Sequence, residues 1–211
     1  MGAMADKLKA AFTGLIVIVA GVLIALAGDA AWAERKARLR EREILTDLVA
    51  EFRDNELRLR TDIASNRQAL AASEEWAEGM LAPSSLSEDS LATLYIAGNS
   101  FARFDPSTGA LRSLIDGGEL NIIQDDDLRR MLAGWDDRAG EATKTAGAIN
   151  DNLTGLFAVH LAMSPRSVRD PGASAAVRLF PEFLRSLVVQ MERLLVDLQD
   201  VTVRIEAELT P

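Results

Sequence analysis

Apolar residues recur at three- and four-residue spacing along most of this chain. Between Lys9 and Asp29 the polar pattern gives way to an uncharged run, AAFTGLIVIVAGVLIALAG over 10–28. A helix of that length covers about 28 Å, close to the ~30 Å hydrocarbon core of a bilayer. The run therefore predicts a membrane-spanning helix. A cleaved signal peptide is the main alternative: Lys7 and Lys9 supply a basic flank, and Ala31-Trp32-Ala33 imitates an A-x-A cleavage site. The run exceeds the roughly 7–15 apolar residues of a signal core. Residues 30–70 also contain neither Pro nor Gly. Both features favour a permanent anchor whose helix continues beyond the span.

The later pattern is helical. Leu45, Leu48, Phe52, Leu59, Ile63 and Leu70 share one face, with Asn55 and Asn66 on the same face. Gly79 and Pro83 end that helix. Ser87 to Ser90 starts a second helix before Leu91, and Asp105 to Gly109 reads as a turn. Ala110 to Asp116 is a short helix closed by Gly117 and Gly118. Asp125, Asp126 and Asp127 open a helix expected to reach Met163, with Leu128, Trp135, Ala142, Ile149 and Leu156 in one row. A polar loop over 166–173 precedes the last helix, about 181–209. There Leu184, Met191, Leu198 and Ile205 form one heptad row, and Leu187, Leu194 and Val201 another. Convincing strand patterns do not occur. The expected fold is all-α: an N-terminal transmembrane helix continuing into an antiparallel helical bundle. The expected division is an anchor with a short tail over 1–33 and a bundle over 34–211, its long helices near 34–78, 125–163 and 181–209.

Within the anchor, Gly14, Gly21 and Gly28 are spaced by seven, and Ala25 pairs with Gly21 as small-xxx-small. Such a stripe lets two helices approach closely in lipid, although Gly is common in membrane helices generally. Asp29 and Trp32 mark the membrane boundary, where Trp suits the interface and a carboxylate reaches water. A ring of Asp29 side chains lining a small oligomeric channel is the more specific alternative. Arg35 and Lys36 begin a basic run at the exit, and the positive-inside rule then favours a cytoplasmic bundle. The heptad face of the last helix, Leu184, Leu187, Met191, Leu194, Leu198, Val201 and Ile205, is a second candidate interface, with a protein partner.

Composition narrows the chemistry. The 211 residues carry a formal charge of −9, which disfavours nucleic acid as a partner. The chain has no Cys, which removes disulfides, thiolate nucleophiles and Cys-based zinc sites. Its one His, His160, falls in the apolar row of a long helix. It reads as structural rather than as a ligand or pH sensor. Glu51, Glu56, Glu141 and Glu192 lack the Glu-x-x-His pattern of di-iron bundles. The Asp125–Asp127 run reads as a helix cap, without the spacing of a calcium loop. Phosphate-loop, dinucleotide and nucleophile-elbow motifs do not occur. No catalytic, cofactor or metal residue is therefore expected.

The stretch from Gly21 to Lys36, GVLIALAGDAAWAERK, resembles an uncharacterised family of short single-pass bacterial membrane proteins. That family has a G-[IV]-L-[IL]-A-L span, a polar exit with Trp, and a charged E-R-[KQ] helix. The stretch from Phe104 to Ile123, followed by Leu128, is similar to the family's middle region. Asp29 and Ala30 stand where the family often has Asn, and Trp32 is shifted by one. The resemblance implies a bacterial inner-membrane location and a helical architecture, and it carries no assigned activity. The expected function is a membrane-anchored interaction or scaffold protein that self-associates without catalysis. A membrane-linked sensor that relays to a partner protein is the alternative.

Overall fold

The computed structural model describes residues 2–82, 86–141, 143–144, 147 and 171–210, with side chains from residue 19 onward apart from 171–174 and 176. Among them every regular element is helical. Helix α1 spans Gly2–Leu81, α2 Glu88–Asn99, α3 Gly109–Asp116, α4 Asp126–Ala133 and α5 Pro171–Leu209, with a 3-10 turn at Glu119–Ile122. The chain divides into two compact units, Met1–Ile44 and Leu45–Pro211. In the first, residues 19–40 are exposed throughout. Among the described residues no helix is long and apolar enough to cross a membrane. The side chains of 10–18, which form half of the expected span and include the Gly14 position, lie outside the described residues.

The second unit holds the core. Leu45, Phe52, Leu59, Asn66, Ser73 and Met80 form a buried row at seven-residue spacing on α1. The matching row on α5 is Leu184, Met191, Leu198 and Ile205. These helices run antiparallel, and the partners across the pair fix their register. Arg53 meets Glu206 at 2.7 Å, Arg67 meets Glu192 at 2.7 Å, and Arg185 meets Glu74 at 2.5 Å. Between them Gln199 donates to Glu56 at 3.0 Å, and Glu56 also accepts from Arg60. Seven-residue steps on both helices keep this ladder at one edge of the buried seam.

The shorter elements close over the inner face. Phe52 packs on Trp135 with ring centroids 5.1 Å apart, and Trp76 meets Phe180 edge-on at 5.9 Å. Gly98 of α2 lies against the Ser73 backbone: a β-carbon there would come within 3.2 Å of it. Leu111, Leu114, Ile123, Leu128 and Leu132 complete the core.

Three expectations change. The helix expected over 125–163 is interrupted at Gly134 and resumes over 135–141. Gly134 caps α4 with its N–H on the carbonyls of Arg130 and Leu132. Arg138 Nη2 then crosses the break to the Met131 carbonyl at 2.6 Å. Most of the expected continuation, with Ala142, Ile149, Leu156 and His160, lies outside the described residues. The last helix starts at Pro171 rather than near 181, which absorbs part of the expected loop. Proline suits a first helical turn, where no N–H is required. Pro181 is carried inside α5, where buried Val177, Phe180 and Leu184 offset its missing hydrogen bond. Finally, the α5 heptad face is not open to a partner. Leu184, Leu187, Met191, Leu194, Leu198, Val201 and Ile205 are all buried in the chain's own core, because α1 and α4 already pack there.

Candidate functional site

The most organised polar feature is a clamp built by α1. The segment between α2 and α3 has no regular structure, so its backbone groups need partners from elsewhere. Asn66 provides two: its Nδ2 donates to Ala102 O at 3.0 Å, and its Oδ1 accepts from Ala102 N at 2.6 Å. Asn55 repeats this on Ser107, donating at 2.7 Å and accepting at 2.8 Å. Each amide thus mimics one rung of a β-ladder. Both side chains are fully buried. One turn before Asn55, Glu51 accepts from Ala110 N at 2.6 Å and Leu111 N at 3.2 Å, capping α3. The local cap residue of α3, Thr108, makes no side-chain bond of its own. The cap therefore comes from across the fold.

A second polar cluster lies at the start of α4. Asp125 Oδ1 accepts from Asp127 N at 2.8 Å and Leu128 N at 3.0 Å, and Arg204 of α5 donates to Asp125 Oδ2 at 2.6 Å. The Leu128 amide, with Arg204 beside it, holds the Asp125 carboxyl below the usual carboxylate range. This is capping chemistry, as the sequence led us to expect. Gln199 and Arg60 likewise lower Glu56, whereas burial alone raises Asp62.

A cavity of about 240 Å³ is lined by Arg138, Glu141, Gln190, Arg193, Leu194 and Asp197. Charges of both signs face it. Arg138 lies 6.0 Å from the Trp135 ring centroid, and its buried Nε has no hydrogen-bond partner among the described residues.

Among the described residues, the candidates of the first unit from Gly21 onward meet no other group; the surroundings of Gly14 lie outside them. Gly21, Ala25 and Gly28 are exposed, and a β-carbon at Gly21 or Gly28 would meet nothing within 4 Å. Asp29, Trp32, Arg35 and Lys36 are exposed as well. The four glutamates weighed for a di-iron centre are dispersed. Glu51 caps α3, Glu56 and Glu192 join the ladder, and Glu141 lines the cavity. Among the described residues no group of three His, Cys, Asp or Glu could hold a metal ion. The clamp was half visible in the sequence. Asn55 and Asn66 lie eleven residues apart, three helical turns, so they share a face; nothing local linked them to residues 102 and 107. No family model, curated protein or solved structure matches the chain.

Proposed function

We propose that this chain is a membrane-anchored helical-bundle scaffold that self-associates and has no catalytic activity. One observation carries the reading. Val19, Val22, Leu23, Ile24 and Leu26 are all exposed on an uncharged stretch of α1. Soluble proteins seldom leave so continuous an apolar surface in water, and a bilayer is the environment that suits it. The uncharged run back to Ala10 gives the full length needed for a span. On this reading Trp32 sits at the interface and Arg35 and Lys36 meet the headgroups on the cytoplasmic side of a bacterial inner membrane. Gly14, Gly21, Ala25 and Gly28 form the contact in lipid. The resemblance to single-pass bacterial membrane proteins belongs to the same proposal.

Alkaline carbonate extraction of cells expressing the full chain tests the anchor. The expected result is retention in the membrane pellet, with release when Ile24 is replaced by Arg. Release of the unaltered chain would overturn it. The mass in mild detergent tests the stripe: Gly21→Leu should reduce the oligomer.

The cavity favours a second reading, a sensor module that takes a small ligand with both acidic and basic groups between Arg138, Arg193, Glu141 and Asp197. Ligand-dependent melting of the full chain, using free amino acids as the probe set, would separate it from a pure scaffold.

A further inference from the structure

The ladder between α1 and α5 has an apolar row on each side of it. Four residues after ladder positions 53, 60 and 67 stand Leu57, Ala64 and Ala71, all exposed. Four residues after 185, 192 and 199 on α5 stand Val189, Val196 and Val203, exposed by 39%, 55% and 65%. A four-residue step turns a helix by only about 40°, so each apolar row lies just beyond its ladder row. The core rows point inward on both helices, which places both apolar rows on the outward face of the pair. Valine is a weak helix former with no intrinsic advantage at an exposed position, and here it recurs every seven residues.

We infer that this outward face of α1 and α5 binds the same face of a second copy, about a twofold axis parallel to the helices. Four arguments point to that occupant. First, the axis sets α1 of one copy on α5 of the other, antiparallel and level by level, so Ala64 meets Val196 and Ala71 meets Val189. Small residues thereby face larger ones. Second, charge agrees along the ladder: Arg53 faces Glu206, Arg67 faces Glu192, and Glu74 faces Arg185, each across the new contact, and one heptad beyond Ala71 and Val189 the rows set Glu78 against Glu182, which ends the contact there. The other in-plane twofold, centred on Ala64, would set Arg60 against Arg67 and is disfavoured. Third, the face runs about 32 Å along positions 53–74 and about 20 Å across the two helices, roughly 640 Å² and of the order of the ~800 Å² per partner of a standard interface. Fourth, the charged rows running along its middle exclude a lipid surface.

This contact deepens the scaffold reading and depends on its self-association, but not on its anchor. The absence of Cys makes cross-linking clean. Full-length A64C and V196C chains are prepared separately, mixed in mild detergent and oxidised. The mixture is expected to give a disulfide-linked dimer, since the facing β-carbons can reach bonding distance. Either chain alone should not, nor should V196C mixed with A92C, whose cysteine lies on α2. Adding Val203→Arg to both chains should abolish the link while leaving the helical signal unchanged. A mixture that links no more than the A92C control overturns the proposal, as does efficient linking of A64C to itself. If Gly21→Leu dissociates an oligomer whose cysteine pair never links, self-association survives and this face does not.

Discussion

Asn66 and Asn55 are the residues on which the bundle's irregular segment depends. Each buried amide satisfies one backbone N–H and one carbonyl that no helix reaches. Asn66→Ala leaves the N–H and carbonyl of half-buried Ala102 without their partner, and an unsatisfied group costs about 1–3 kcal/mol when fully buried and less where water reaches it. Urea denaturation should show a loss of about 2 kcal/mol for Asn66→Ala, and a smaller one for Asn55→Ala, whose partner Ser107 is exposed and can bond water instead. Arg67→Ala, one residue on but exposed, should cost less than about 1 kcal/mol. Equal losses at Asn66 and Arg67 would mean that the clamp is incidental. Asp125 behaves differently because its contribution titrates. Its native carboxyl is held below the ordinary value by the Leu128 amide and Arg204. The stabilisation is therefore complete above about pH 4, the unfolded range, and disappears as pH falls through the lowered native value. Asp125→Ala should cost about 1 kcal/mol at neutral pH, and that deficit should shrink as the pH is lowered through the carboxylate range in acid denaturation. The Asp125 cap could be read from sequence because its amides lie two and three residues away. The Glu51 cap could not: its amides are about sixty residues distant, and nothing local marks them.

Elements were legible where one periodicity ran unbroken. The three-and-four spacing on α1 and the heptad rows on α5 pick out the buried faces, with Leu70 half-buried at the margin, since a two-sided helix must hide its apolar side. Two kinds of information were hidden. Helix ends depend on backbone partners, so Arg138 crossing to Met131 lets Gly134 end α4 where periodicity alone runs on. Helix pairing depends on register, so the ladder became visible only once Arg53 was set opposite Glu206. The same heptads also misled: a clean apolar face on α5 suggested an external interface, when it is the core. Two glycines give opposite tests at this scale. Gly98→Ala puts a β-carbon 3.1–3.2 Å from the Cβ, Cα and N of Ser73 and forces α2 away from α1. It should destabilise by about 1–3 kcal/mol. Gly140→Ala meets nothing within 4 Å on a helical segment and should stabilise by up to about 1 kcal/mol. Thermal melts of the two variants should move in opposite directions. A Gly98→Ala chain as stable as the parent would show that α2 does not sit this closely on α1.

At the scale of the whole molecule, one helix carries two kinds of surface. From Leu45 onward α1 is half buried by the core, whereas residues 19–40 have no buried face. Helices without packing rely on propensity alone, and their amides open locally at little cost. Hydrogen exchange of the full chain in lipid nanodiscs should therefore give three zones along α1. Residues 45–81 should be protected by the core and, on the proposed anchor, 10–28 by the bilayer, which holds no water to bond an opened amide. Residues 30–40 should exchange fastest, because neither environment covers them. On the same proposal, transfer to a harsher detergent should raise exchange over 10–28 before it reaches 45–81, since lipid would hold the first zone and packing holds the second. If 10–28 exchanges as fast as 30–40 in nanodiscs, the exposed valines and leucines of the first unit are not in lipid. Protection of all three zones alike would mean instead that a protein surface covers the helix from end to end. The zone pattern thus separates a bilayer from a partner chain as the cover for the same apolar surface.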